Sequence, residues 1–138
     1  MQHIGIAYVL TVLIGWDREK ATHSAGVRTF PIVGIASCGY LLALGPQPDA
    51  AAQSRVLQGL ITGIGFVGGG AILKEGATVK GTATAASIWN AGVIGASVAM
   101  DRYEIAVILA LLNLITLRAL LPLKQRLDSA KDFDVGKD

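Results

Sequence analysis

The sequence predicts an all-α fold: an integral membrane bundle of about five transmembrane helices, with the N-terminus outside and the C-terminus in the cytoplasm. Three observations carry this expectation. The 138 residues are 52% hydrophobic and 16% charged, where ordinary soluble domains carry about 25% charged residues, and the mean hydropathy is +0.54. Five apolar segments, at about 2–16, 30–45, 56–73, 84–100 and 104–121, are separated by short polar breaks. Ten of the twelve lysines and arginines fall in the first and third connections and the C-terminal segment, and only Arg55 and Arg102 fall in the second and fourth. By the positive-inside rule this places the odd connections in the cytoplasm. The expected organisation is one transmembrane domain over 1–121 and a short charged cytoplasmic tail over 122–138.

The first segment has no basic region and no small-residue cleavage site ahead of Trp16, so it reads as a retained span and not a signal peptide. Met1 to Trp16 is shorter than the roughly 20 residues a crossing needs, so either flanking residues complete it or the start is trimmed. It closes on Trp16-Asp17-Arg18-Glu19-Lys20. If the helix continues, Asp17 and Glu19 lie about 200° apart, which argues against a two-carboxylate metal clamp. The next connection carries Gly26-Val27-Arg28-Thr29-Phe30-Pro31, with Pro31 suited to a first helical turn. Arg28 offers a planar fork for an inward carboxylate, and Asp17 is the expected partner.

Gly45-Pro46-Gln47-Pro48-Asp49-Ala50 reads as a turn. The third segment carries glycine at 59, 63, 65, 68, 69 and 70. The Gly59/Gly63 and Gly65/Gly69 spacings favour close backbone approach, so this span is expected at the centre of the bundle. Gly63-Ile64-Gly65-Phe66-Val67-Gly68 matches the dinucleotide-binding fingerprint, but that motif needs a preceding strand and an acidic residue about 20 positions on, and this chain has threonine and alanine there. Gly68 to Gly70 could break the span and expose carbonyls to a cavity. Arg55, Gln58 and Thr62 form an outer-side polar group, and Lys74 and Glu75 are expected to end the helix.

Thr82, Thr84, Ser87 and Asn90 lead into the fourth segment, where Ser87, Ala91, Gly95 and Ala99 repeat every four residues. The glycine face of span three is the expected partner of this stripe. The break at Asp101-Arg102 is so short that spans four and five must be antiparallel neighbours. Span five is rich in leucine and isoleucine, with Asn113 and Thr116 as a polar seam that serves more often as interhelical glue than as a site. Small faces left over after packing point to a homodimer through span three or four.

A net charge of +2 without a basic stripe gives no support for nucleic acid as a partner. No nucleophile stands beside a base, His3 and His23 have no metal-ligand spacing, and Cys38 reads as a small buried hydrophobe. No enzymatic activity, cofactor or metal is therefore expected. Ionisable groups at membrane depth are functional candidates by default. The candidate cluster is Asp17, Arg18, Glu19, Arg28, Thr29, Lys74, Thr82, Thr84, Ser87 and Asn90, all assigned to the cytoplasmic half, with Gly59, Gly63, Gly65, Gly69, Ala91 and Gly95 as packing positions.

Taken in order, Gly15-Trp16-Asp17-Arg18-Glu19, Ala25-Gly26-Val27-Arg28-Thr29, Arg55 with Gly63 to Leu73, and Gly81 to Trp89 closely resemble the MgtC/SapB family of bacterial inner-membrane proteins, over roughly residues 4 to 120. The resemblance implies a five-span domain with its N-terminus outside, tied to growth in low magnesium and survival of pathogens inside macrophages. It further implies regulation of membrane energetics through the ATP synthase, and not magnesium transport. The chain resembles the short members that lack a C-terminal cytoplasmic domain, which puts roles of that domain in doubt. Ala83 stands where the family often has leucine, and Asp17 where it frequently has glutamate. A second reading stays open: a small ion or solute transporter or channel with a path between spans one, three and four.

Overall fold

Small residues decide where these helices meet. The computed structural model describes residues 1–21, 25–76 and 78–122; His23 and the charged tail from 123 onward, including Lys124, Arg126, Lys131 and Lys137, lie outside the described residues. In chain order the elements are α1 (Gln2–Ala21), α2 (Thr29–Leu42), α3 (Ala50–Gly70), β1 (Leu73–Glu75), β2 (Thr78–Lys80), α4 (Thr82–Ala99) and α5 (Tyr103–Ala119). The fold is all-α apart from the short antiparallel hairpin β1–β2, which pairs Leu73 with Lys80 and Glu75 with Thr78. Among the described residues no helix is long and apolar enough to cross a membrane.

Each helix buries the residues that its period brings to one side. In α1 these are Ala7, Thr11, Ile14, Gly15 and Arg18; in α2 they are Phe30, Gly34, Ser37, Cys38 and Leu41. Both sets step by three and four, the spacing of a single helical face. The hydroxyls on these faces are satisfied within their own helix, since Thr11 donates to the Ala7 carbonyl at 2.6 Å and Ser37 to the Val33 carbonyl at 2.9 Å. They therefore pack as small side chains with no unpaired polar group.

The central helix is α4 and not α3, which corrects the expectation. It packs against all four other helices and buries Thr84, Ala85, Ile88, Ala91, Gly92, Ile94, Gly95, Ala96 and Val98. A Cβ placed on Gly95 would run into the backbone carbonyl of Gly34, and one on Gly34 would meet the Thr11 side chain at 2.6 Å. Within the small-residue stripe of α4, Gly95 thus faces α2, and α1 closes the same junction. Against α3 the close contacts are Gly92 with the Ile64 side chain and Gly68 with the backbone of Ala85. By contrast α3 buries only Gly68, and Gly59, Gly63, Gly65 and Gly69 meet nothing within 4 Å.

The boundaries of α3 also differ from expectation. Asp49 accepts from the Ala52 amide at 3.0 Å, so an N-cap starts the helix six residues before the apolar run. The helix ends at Gly70, which puts Gly68 to Gly70 in its last turn instead of at a break within a span. Lys74 and Glu75 then lie in the hairpin, with Lys80 donating to Glu75 at 2.6 Å. Gly76 and Gly81 take φ of +61° and +86°, and a Cβ on Gly81 would strike the Ala71 carbonyl. The Gly63–Gly68 fingerprint sits inside α3 with no strand ahead of it, so its glycines form no phosphate loop.

Gly95→Ala should lower stability by about 1–3 kcal/mol through overpacking at Gly34. Gly63→Ala should be neutral or stabilising by about 0.4–1 kcal/mol, because the position has room and alanine is the better helix former. Thermal unfolding of the two purified variants checks the contrast, and equal losses would mean that α3 packs as tightly as α4.

Candidate functional site

The C-terminal ends of α1, α3 and α5 and the N-terminal ends of α2 and α4 share one end of the bundle. A Cβ on Gly15 would lie 3.0 Å from the Gly26 carbonyl, one on Gly68 would lie 3.1 Å from the Ala85 carbonyl, and Ser87 bonds Asn113. Here α1 continues through Trp16-Asp17-Arg18-Glu19-Lys20 and reaches 20 residues. Its two carboxylates diverge, as their angular separation requires.

Asp17 turns to α5. Its Oδ1 accepts from Arg118 Nε at 2.7 Å and its Oδ2 from Arg18 Nη2 at 3.1 Å. The Asp17 and Arg18 side chains are largely buried, while Arg118 is open to the surface. The carboxylate is therefore neutralised by two guanidinium groups, one on each oxygen, and joins α1 to α5 across 101 positions of sequence. Two cations at hydrogen-bond distance oppose the approach of a third, so this site suits an anchor better than a metal ligand. Among the described residues no group of three or more His, Cys, Asp or Glu could hold a metal ion.

Glu19 turns to the first connection instead. Its Oε2 accepts from the Val27 amide at 3.0 Å, and a Cβ on Gly26 would overlap that carboxylate. A side chain at 26 would displace the Glu19 carboxylate from the Val27 amide and press on the backbone at Glu19.

The expected pairing of Asp17 with Arg28 is not present: Arg28 stands exposed at the start of α2, and Arg118 takes its place. Thr29 is half-buried, Thr82 and Lys74 are exposed, and Thr84 and Ser87 are buried. Ser87 donates to Asn113 Oδ1 at 2.9 Å, and Asn90 Nδ2 donates to the Leu109 carbonyl at 3.3 Å, so both reach α5. The expected cluster divides into the Asp17–Arg18 anchor, Glu19 on the first connection, an α4–α5 seam of Ser87 and Asn90, and Arg28, Thr29, Lys74, Thr82 and Thr84, which join none of these. Arg55, Gln58 and Thr62 lie on the exposed side of α3, where Thr62 donates only to the Gln58 carbonyl one turn away. Ala91 and Gly95 are buried within the chain.

Sequence reasoning passed over a second cluster, at the opposite end. Asp101, in the α4–α5 turn with φ +58°, accepts on Oδ1 from His3 Nε2 at 2.9 Å and from the Tyr103 hydroxyl at 3.0 Å. The His3 and Tyr103 rings stack with centroids 5.9 Å apart. A cleft of about 530 Å³ beside them is lined by His3, Pro46, Pro48, Gln53 and Asp101, among others. The one signal in the sequence is a histidine in the first turn of α1, which carries no trace of its partner 98 positions away. Hydrogen bonds from His3 and then Tyr103 hold the Asp101 carboxyl below its ordinary value of 3.8.

Fold and site together define a bundle of five helices and a short hairpin, with a buried acid–arginine anchor at one end. A sequence profile described as the MgtC family matches residues 4–126, and the chain belongs to that family. It is 33% identical over 118 residues to an uncharacterised protein of Synechocystis, covering 86% of this chain and 50% of that one. It is 34% identical over 89 residues to Protein MgtC of Brucella abortus, covering 64% and 37% of the two chains. With Protein MgtC of Salmonella typhimurium it shares 32% identity over 99 residues, covering 71% and 42%. The chain thus spans half or less of the length of these relatives, and no solved structure matches it.

Asp17→Ala should cost about 1–3 kcal/mol, since it removes a carboxylate with two charge-assisted bonds, and Arg118→Ala should cost less because its head is exposed. The double variant should lose less than the sum, and Arg28→Ala should stay within about 0.5 kcal/mol of the parent. Unfolding midpoints of the four variants decide it, with strict additivity counting against the Asp17–Arg118 bond.

The Asp101 anchor carries its own pH signature. The folded carboxyl has the lower pKa, so its contribution is complete above the ordinary value of 3.8 and is lost as pH falls through the depressed one. The gap in melting temperature between the parent and Asp101→Asn should close on acidification below about pH 4. A gap that persists there would mean that the carboxylate charge is irrelevant.

Proposed function

We propose that this chain is a non-enzymatic, multi-pass protein of the bacterial inner membrane, with its N-terminus outside, that modulates magnesium-linked and stress-linked membrane energetics through other membrane proteins. The ATP synthase is the partner suggested by the family resemblance. What carries the reading is the outward surface. Helix α5 exposes Ile105, Val107, Ile108, Leu111, Leu112 and Ile115 while its buried positions are Ala106, Ala110 and Leu117, so it is apolar around most of its circumference. A helix of that kind has no face to give to water. Tyr8, Val9 and Leu13 of α1 add to the same outer shell.

Length bears on the same point. At 1.5 Å per residue, the 20 residues of α1 and 21 of α3 come to about 30 Å, the thickness of a hydrocarbon core, although the charged end of α1 and Arg55 of α3 keep neither helix apolar over that whole length. The 14 residues of α2 make about 21 Å, so on this reading flanking chain or a thinned bilayer completes its crossing. At the Asp17 end Trp16 is exposed with Lys20 Nζ 5.4 Å from its ring, a combination suited to the headgroup region.

Alkaline carbonate extraction of expressing cells tests the location: the chain should remain in the membrane pellet, and release into the supernatant would overturn the proposal. Reporter fusions should be active outside when placed at the α4–α5 turn and inside at the hairpin. In proteoliposomes no specific ion flux is expected; a flux abolished by Asp17→Ala would replace the regulator reading with a transporter.

A further inference from the structure

Helix α3 packs chiefly on α4 and only lightly on α2, and a groove of about 450 Å³ lies between α2 and α3. Its walls include Ile32 and Ala36 of α2 and Val56, Leu60 and Val67 of α3, with Gly59 and Gly63 among them. A Cβ on either glycine would meet nothing within 4 Å, so the two positions leave a gap that no described side chain fills. The Ser37 hydroxyl in the lining donates to the Val33 carbonyl of its own helix and asks nothing of an occupant.

An apolar wall beside a void forfeits its dispersion contacts, and in a bilayer the material that restores them is an acyl chain. The length fits one leaflet. From Val56 to Val67 the helix rises about 16 Å, half of the roughly 30 Å hydrocarbon core. Polar groups gather where α2 finishes and α3 begins. Tyr40 lines the groove there and is exposed, and Arg55 directly precedes Val56, one helical turn before Gly59. Arg55 is exposed and enters no ion pair among the described residues. A guanidinium in that position lacks a carboxylate of its own chain, and its planar fork matches a phosphate.

We infer that this groove holds one acyl chain of an anionic phospholipid from the outer leaflet, with the lipid phosphate on Arg55 and the chain lying along Gly59 and Gly63. The inference rests on the proposed membrane location, which puts the start of α3 outside. Charge selects the headgroup and the glycines admit the chain. A zwitterionic lipid also carries a phosphate, but its ammonium group offsets the charge that Arg55 meets, so the anionic lipid is preferred.

The test is native mass spectrometry of the full chain released from micelles that contain equal amounts of dioleoylphosphatidylglycerol and dioleoylphosphatidylcholine. The parent should retain a single lipid, with phosphatidylglycerol favoured about fivefold, the factor for one cationic side chain at an anionic surface. Arg55→Gln should still retain lipid and lose the preference. Gly63→Leu fills the groove and should lower retention of both lipids by about five- to hundredfold, the range for one overpacked side chain. Gly65→Leu, at a position equally open but outside the lining, should bind as the parent does. A parent without lipid, retention indifferent to Gly63→Leu, equal loss in both leucine variants, a preference that survives Arg55→Gln, or a second copy of the chain in place of lipid would each overturn the inference. Carbonate extraction of expressing cells separates the two failures: a retained chain without the lipid refutes only the lipid site, whereas a released chain refutes the membrane location and the site with it.

Discussion

The approach of Gly95 on α4 to the backbone of Gly34 on α2 is the contact on which the remaining arrangement depends. No side chain separates the two helices there, and the opposite side of Gly34 is closed by Thr11 of α1. Three helices consequently meet at a point where each contributes a small residue, and α4 is held between its neighbours. Gly92 then admits Ile64 of α3, and Ser87 reaches Asn113 of α5. Interiors packed to this density resist even one added carbon, so the position of α4 follows from volume and needs no directional bond.

Charge acts at the two ends of the same bundle. Asp17 binds Arg118 where α1 and α5 finish, and His3 binds Asp101 where α1 begins and α5 is about to. The two helices run parallel and are tied at both ends by carboxylates, each with two donors. Helix α3 has no comparable tie, leans mainly on α4, and leaves the apolar groove on its α2 side. The open glycines Gly59 and Gly63 line that groove, which is a surface lipid can wet without penalty.

This division of labour bears on the region that the chain shares with the MgtC family. The matched region, residues 4–126, holds the Asp17–Arg118 anchor and nearly all of the five helices, with His3 falling just before it, and the alignments cover half or less of the relatives' length.

By itself the sequence determined the number, order and approximate position of the helices, the family, the antiparallel α4–α5 turn and the divergence of Asp17 from Glu19. Each is written in local spacing, in hydrophobic period or in a run of motifs, all of which survive without knowledge of the partners. Only the tertiary structure decided which helix is central, because glycine-rich α3 and small-residue α4 have equal claims by composition, and shape at Gly34 favours α4. It also decided that Arg118 and not Arg28 binds Asp17. Several arginines share that end of the bundle, and the choice among them depends on the direction in which α5 leaves its turn. The Asp49 cap, the hairpin at Leu73–Lys80 and the His3–Asp101 bond were missed for related reasons: the first two lie beside or within an apolar run that obscures them, and the third joins residues 98 positions apart that only the folded bundle brings together.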